Sequence, residues 1–258
     1  MIVGASWLGV RVDEQRYLEC LEADYTRLRA VVEPALDERV PSCPDWTGAD
    51  LVRHVAHVFL HKAETMRHGR WPAPWPPDLG ADVLGALDDA YRRLVGEFAA
   101  REPADQALTW YEPDQTVGFW LRRMAQETVI HRLDAELAAG VAHAPIPTDL
   151  AEDGIDEVLV RFLVYGSVEY PEELGEHLPE CDGRTVQIDT GGAGWQVQLG
   201  PTEITVERGQ ADPEAGVFGE ADAVLRWVWR RAGDDVVQLD GNRWVLGKLR
   251  TMLGIATQ

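Results

Sequence analysis

Cysteine is scarce in this sequence, which has three in 258 residues: Cys20, Cys43 and Cys181. The number is odd, the spacings are wide and no CxxC pair occurs, so neither a disulfide framework nor a cysteine-based zinc site is expected. Disulfides are rare in the reducing cytoplasm, and the sequence therefore fits a cytoplasmic protein best. Each cysteine is expected to be a small buried core residue rather than a nucleophile.

Long apolar runs and positive charge are also lacking. No stretch of 18 apolar residues occurs, so no membrane-spanning helix is expected, and the first 15 residues do not have the pattern of a signal peptide. Lys and Arg number 24 against 44 Asp and Glu, a net charge of −20. Both parts of the chain are acidic and would repel a phosphate backbone, so nucleic acid is not an expected partner. The acidity is interpreted as an aid to solubility.

Helical periodicity dominates the first two thirds of the chain. Apolar residues recur at helical spacing in five segments. The predicted helices are 13–33, 48–67, 81–101, 116–139 and 148–170. Thr47 is the predicted N-cap of the second helix, with Asp50 completing an acidic variant of the capping box. Gly140 is a suitable residue to end the fourth helix.

The period of the sequence changes after residue 180. The segments TVQIDT, WQVQLG and EITVERG alternate apolar and polar residues and are separated by glycine-containing turns, which predicts a three-stranded antiparallel meander. A helix over 221–232, a strand VVQLDG and a helix over 242–255 are predicted to follow. The order predicts an α+β protein with a helical bundle over 1–175 and a small α/β domain over 176–258.

Glu127 and His131 lie one turn apart on the fourth predicted helix, on the same side as Trp120 and Met124. That side is expected to face the core, where an unpartnered carboxylate is costly. The two side chains either hydrogen-bond to each other or to a neighbouring arginine, or share a metal ion. The spacing alone leaves both interpretations open.

Three histidines lie on the second predicted helix. His54 shares a face with core positions, whereas His57 and His61 lie nearby on the helical wheel. His54 and His61 are two turns apart, about 10.5 Å, which is too far for one ion to bridge. Spacing does not choose among them, and a satisfied core histidine is the simpler interpretation of each. One histidine from this helix with Glu127 and His131 would make three ligands and leave positions open, as in a catalytic metal site inside a bundle.

Two segments resemble signatures of the mycothiol-dependent maleylpyruvate isomerase family. The stretch VPSCPDWTGADLVRHVAHV resembles the pattern P-x-C-P-x-W-x-x-x-x-L-x-x-H, and ETVIHRLDAE resembles the pattern E-x-x-x-H-R-x-D-x-E. The first pattern is filled by Pro41, Cys43, Pro44, Trp46, Leu51 and His54. The second is filled by Glu127, His131, Arg132, Asp134 and Glu136.

This resemblance implies a DinB-like up-down bundle in which His54, Glu127 and His131 bind a divalent metal. It also implies mycothiol, the thiol of actinobacteria, as co-substrate and a C-terminal sterol-carrier-like domain. Two nitrogens and one carboxylate suit zinc, nickel or iron, and zinc is the preferred assignment. The segment LRWVWRR is similar to the family pattern L-x-L-W-G-R, with Arg230 in the glycine position and Arg231 in the arginine position.

The resulting prediction is an enzyme that activates mycothiol for transfer to, or isomerisation of, a small electrophile. Arg231 is predicted to hold an acidic substrate, although an exposed helix-end charge is an equal alternative. Trp46 is a predicted substrate-binding residue or else a plug at the bundle end. Trp71 and Trp75 belong to a lid or to a stiff surface loop. A metal–water hydrolase and a non-catalytic small-molecule binder are the competing functions.

Overall fold

The structure, a computed structural model, describes residues 12–210 and 213–257. Packing divides the chain into two units, one formed by Asp13–Ala144 and the other containing the residues from Pro145 onward. This division lies before the predicted boundary at 175/176, because the helix after Pro147 packs against a helix of the second unit. Among the described residues, no helix is both long and apolar enough to cross a membrane.

The first unit is a four-helix bundle with a small hairpin. Its helices are α1 (Glu14–Val32), α2 (Gly48–His68), α3 (Val83–Ala99) and α4 (Val117–Ala138). The antiparallel hairpin, β1 (Arg39–Val40) and β2 (Cys43–Thr47), was not predicted and leads directly into α2. Helix α4 packs against α1 and α2, and α2 also packs against α3.

Helix α4 lies at the centre of the bundle and is buried on nearly all sides. A helix in this position is usually apolar all round, yet α4 carries six ionisable side chains that are buried or nearly so. These are Arg123, Glu127, His131, Arg132, Asp134 and Glu136. Buried polar groups of this kind need hydrogen-bond partners, and the partners of these residues lie on neighbouring elements of the bundle as well as on α4 itself.

One set of partners joins α1 to α4. Arg132 is 1% exposed, and its Nε donates to Asp24 Oδ1 at 2.8 Å. Its Nη1 donates to Glu136 Oε2 at 2.8 Å and to the carbonyl of Ala144 at 2.6 Å. Glu136 in turn accepts from Arg27 Nε at 2.9 Å. Arg132 and Glu136, two residues of the second signature, therefore hold the bundle together.

The second unit combines helices with a mixed sheet. Its helices are α5 (Thr148–Glu157), a π-helical turn (Val158–Val164), α6 (Tyr165–Glu169), α7 (Pro171–Leu174), α8 (Leu178–Cys181), α9 (Ala221–Val228) and α10 (Arg243–Ala256). Its strands are β3 (Arg184–Asp189), β4 (Gly194–Leu199), β5 (Ile204–Arg208), β6 (Ala215–Phe218) and β7 (Gln238–Gly241). The strand order is β5-β4-β3-β6-β7.

The α+β class and the N-terminal helical bundle are confirmed, and β3, β4 and β5 form the predicted antiparallel meander. The sheet is larger than predicted, because β6 pairs in parallel with β3 and antiparallel with β7. Strand β6 reads AGVF, and its Gly216 lies under the ring of Phe218, where an added Cβ would come within 2.3 Å of a ring carbon. Alanine and glycine have low β-propensity, so the sequence pattern does not reveal this strand.

Candidate metal centre

The β1–β2 hairpin positions the start of α2. Asp50 N donates to Thr47 Oγ1 at 3.2 Å, and Thr47 N donates to Asp50 Oδ2 at 3.0 Å, which is the predicted capping box. Helix α2 therefore begins at a defined residue, and His54 lies in its second turn. Trp46, on β2 just before the cap, is brought against the same part of the bundle.

His54, Glu127 and His131 meet between α2 and α4. His54 Nε2 lies 3.3 Å from Glu127 Oε1, and His131 Nε2 lies 3.1 Å from the same oxygen. One ligand atom from each of the three residues lies within 4.8 Å of the others. Two atoms bound to one zinc ion at tetrahedral positions are about 3.4 Å apart. The donor set and its spacing therefore fit a single divalent ion held by two imidazoles and one carboxylate.

Charge is arranged so that Glu127 is ionised. Burial raises the pKa of Glu127, but His131 and Arg123 outweigh it and hold that pKa well below its ordinary value. Burial lowers the pKa of His131, but the charges of Glu127 and Asp134 and the hydrogen bonds to them together outweigh burial and raise the pKa to about 9. Arg123 Nη2 donates to Glu127 Oε2, so that Oε1 is the oxygen facing both imidazoles.

A second layer of contacts orients His131. Its Nδ1 lies 2.9 Å from Asp134 Oδ2, and Ser42 Oγ donates to the other oxygen of Asp134. A carboxylate at Nδ1 favours the tautomer with its proton there, which leaves Nε2 able to bind a metal. The sequence by itself did not predict a role for Ser42, Arg123 or Asp134. The signal for Asp134 was present, since it lies three residues after His131 and shares its side of α4.

Trp46 lies against the two imidazoles of the three-residue cluster. Its ring centroid is 4.8 Å from that of His54 and 6.3 Å from that of His131, and the two imidazoles are 4.8 Å apart. The side chain of His54 is 36% exposed, whereas that of Glu127 is 14% exposed. The cluster is therefore open to solvent on the His54 side. The predicted role of Trp46 in binding substrate stays a prediction.

The other histidines of α2 have different partners. His57 Nε2 lies 2.9 Å from the carbonyl of Pro77, and the ring of His61 lies 4.8 Å from that of Trp75. His68 Nε2 lies 3.0 Å from Glu64 Oε2. His57 and His61 thus anchor the proline-rich segment after α2, and only His54 of this helix belongs to the cluster with Glu127 and His131.

Arg231 lies in the second unit, just after α9. Its Nη1 donates to the carbonyl of Trp229 at 2.9 Å. The preceding Arg230 has φ of 59°, the left-handed conformation that glycine adopts at least cost. Arg230 therefore occupies a backbone position that suits the glycine of the pattern L-x-L-W-G-R, which supports the register that assigns Arg231 to the arginine. The role of Arg231 towards substrate stays a prediction.

Residues 18–136 match the family model described as the mycothiol maleylpyruvate isomerase N-terminal domain. The chain is similar to the crystal structure of the mycothiol-dependent maleylpyruvate isomerase, with 15% identity, 88% of this chain and 93% of that chain covered, and a TM-score of 0.56. A histidine-to-alanine mutant of such an isomerase gives 14% identity, the same coverage and a TM-score of 0.59. At this identity the likeness shows a shared fold. No curated protein matches the chain.

A UbiJ-SCP2 ubiquinone synthesis protein is similar over 43% of this chain and 96% of that chain, with 16% identity. Its TM-score is 0.32, which does not establish a shared fold. The matched family domain, in contrast, spans most of the bundle and contains His54, Glu127 and His131.

Proposed function

We propose that this chain, which belongs to the mycothiol-dependent maleylpyruvate isomerase family through its N-terminal domain, is a metal-dependent enzyme that activates a low-molecular-weight thiol. The thiol is proposed to be mycothiol, and the acceptor is a small electrophile. The observation that carries the proposal is the convergence of His54, Glu127 and His131 to within 4.8 Å. The reaction is net transfer of the thiol or, if the sulfur later leaves, isomerisation.

His54 Nε2, Glu127 Oε1 and His131 Nε2 would hold the ion, with zinc as the preferred one. When bound, a divalent cation lowers the pKa of a coordinated thiol, so that the reactive thiolate exists at neutral pH. Three protein ligands leave room for such a thiol. Arg123 holds Glu127 in place, and Asp134 orients His131. Trp46 is proposed to form one wall of the substrate site beside the two imidazoles.

The proposal is tested by a metal measurement coupled to a thiol assay. Gently purified protein is expected to contain about one divalent ion per chain, and to consume mycothiol when maleylpyruvate or another small electrophile is supplied. Removal of the ion by a chelator should stop thiol consumption, and addition of zinc should restore it. Undiminished turnover in the metal-free protein would contradict the proposal.

Two alternatives use the same bundle differently. A hydrolase would use water in place of the thiol, and its activity would not require added thiol. A non-catalytic binder would purify with less than about half an equivalent of metal, even when chelators are avoided. The open side of the cluster at His54 favours a catalytic over a structural metal site, because a structural site is normally closed by a fourth protein ligand.

Asp134 provides a test of how His131 is oriented. Asp134→Asn is expected to weaken metal affinity by about 10- to 100-fold, because the amide replaces one of the two carboxylate oxygens that meet His131 and Ser42. Competition with a chromophoric chelator measures the change. The matched control is Asp89→Asn on the exposed side of α3, which should leave affinity unchanged. Equal metal affinities for the two variants would show that Asp134 does not orient His131 for metal binding.

A further inference from the structure

Lys62 is an unusual cation in this chain. It is one of only two lysines among 24 Lys and Arg residues. Its Nζ lies 3.3 Å from His61 Nδ1 and 4.8 Å from the ring centroid of Trp120. Within the part of the chain that the structure describes, no carboxylate lies at ion-pair distance from Lys62. The other lysine, Lys248, has the usual arrangement, with its Nζ 2.6 Å from Glu180.

The neighbours of Lys62 hold it but do not neutralise it. Burial and the charge of Lys62 together lower the pKa of His61 to about 4, so His61 is a neutral imidazole that accepts through Nδ1. The ring of His61 is itself flanked by Trp71 at 5.4 Å and Trp75 at 4.8 Å. Trp71, which is exposed, lies 6.4 Å from Trp120, which is fully buried behind it.

A partly buried ammonium without a counter-ion is costly. Burial lowers the pKa of Lys62 to about 8, although the charge of Glu127 opposes this effect. Lys62 is therefore still mainly cationic at neutral pH. Its contact with the face of Trp120 offsets part of the cost. The ammonium has three N–H donors, and His61 accepts from one of them. A negatively charged acceptor would satisfy the other two.

The position of Lys62 relates it to the metal centre. On α2, Lys62 follows His54 by eight residues. On α4, Trp120, which contacts Lys62, precedes Glu127, which contacts His54, by seven residues. The two helices therefore run antiparallel along this contact. Lys62 lies about 12 Å along α2 from His54 by helical rise, and the charge of Glu127 acts on its ammonium. Lys62 therefore lies along the same contact between α2 and α4 as the cluster.

We propose that Lys62 binds a carboxylate group of the acceptor substrate, with Trp71 and Trp75 forming the apolar wall beside it and the buried ring of Trp120 supporting the ammonium. Lys62 would thereby select small carboxylic acids over neutral electrophiles of the same shape. The inference rests on the proposed function for the identity of the acceptor, and on the geometry around Lys62 for the class of ligand. It assigns Lys62 to substrate binding and not to metal binding.

Maleate serves as the binding probe, because it is a small unsaturated dicarboxylate. Reductive methylation with ¹³C-formaldehyde labels both lysines and keeps their charge, so Lys248 is an internal control in the NMR spectrum. Maleate should shift the Lys62 signal and leave the Lys248 signal unchanged, whereas maleamide, the neutral analogue, should shift neither. Equal shifts with maleate and maleamide, or no Lys62 shift with maleate, would overturn the proposal.

Variants of Lys62 give the second arm of the test. Lys62→Met keeps the apolar length of the side chain and should weaken maleate binding by calorimetry about 10- to 100-fold, since a charge-assisted hydrogen bond is lost. Lys62→Arg should restore part of the affinity, and Arg92→Met, an exposed change on α3, should have no effect. Maleate binding by Lys62→Met within two-fold of the unmodified protein would contradict the assignment.

Two further measurements distinguish a failure of the metal proposal from a failure of the Lys62 proposal. Maleate should still shift the Lys62 signal in His131→Ala and in chelator-treated protein. Binding at Lys62 is therefore tested independently of the metal proposal. In the thiol assay, Lys62→Met should raise KM for the acidic acceptor about 10- to 100-fold with little change in kcat or in KM for the thiol. A rise in KM for the thiol alone would show that Lys62 binds the thiol co-substrate and not the acceptor, which would overturn the proposal.

Discussion

Replacing His131 by alanine is expected to lower metal affinity more than 100-fold and to abolish thiol turnover. Loss of an outer-shell partner costs about 10- to 100-fold in affinity, and a direct ligand should cost more. His131 also sets the charge of the cluster, since it stabilises the ionised form of Glu127. The measurements are metal content after dialysis and the rate of thiol consumption at saturating acceptor.

His131 is 8% exposed and also contacts Asp134, so His131→Ala could perturb the bundle. His54→Ala is therefore a second variant, because its side chain is 36% exposed and its removal disturbs packing less. The same loss of metal and turnover is expected. His68→Ala, which removes an exposed histidine of the same helix, is the control and should retain both. Full metal content in both ligand variants would exclude this cluster as the metal site.

Arg132→Met is expected to lower the free energy of unfolding of the bundle by about 3–5 kcal/mol. Arg132 is 1% exposed, and its removal leaves the carboxylates of Asp24 and Glu136 without their shared cation. Breaking a buried ion pair costs this much because an uncompensated charge remains in the interior. Urea unfolding followed by circular dichroism measures the change at constant pH.

The matched control for this prediction is Arg92→Met on α3. The side chain of Arg92 is 72% exposed and contacts only a neighbouring exposed aspartate, so the expected change is below about 0.5 kcal/mol. A loss of less than about 1 kcal/mol in Arg132→Met would show that Arg132 is not needed to hold α1 against α4. Metal affinity of the folded variant should stay close to that of the unmodified protein, since among the described residues the Arg132 side chain bonds to Asp24, Glu136 and the carbonyl of Ala144 and not to the cluster.

The amino-acid sequence by itself determined the local structure of the bundle and half of the candidate site. Apolar residues at helical spacing predicted α1 to α4 to within about two residues at each end. Thr47 and Asp50 specify the start of α2, because their side chains satisfy the free backbone N–H groups there. The i,i+4 spacing of Glu127 and His131 made them neighbours before any packing was known. All of these features depend on contacts within a few residues.

Choosing among the histidines of α2 required more than spacing. The two family signatures selected His54, and the structure places its Nε2 3.3 Å from Glu127. His61 lies on nearly the same side of α2 but two turns further along it, against Trp71 and Trp75. The choice depends on which turn of α2 lies opposite Glu127 when α2 packs against α4. No residue within α2 specifies that axial position alone.

Only the tertiary structure revealed the partners that complete the site. Ser42 meets Asp134 across 92 residues of sequence, and His54 meets Glu127 across 73. Lys62 is recognisable as a cation without a carboxylate only when Trp120 and its surroundings are in place. Strand β6 likewise acquires its identity from pairing with β3. Helical periodicity and capping depend on short-range contacts, which the sequence displays, whereas metal geometry and charge compensation depend on side chains that packing brings together from distant segments.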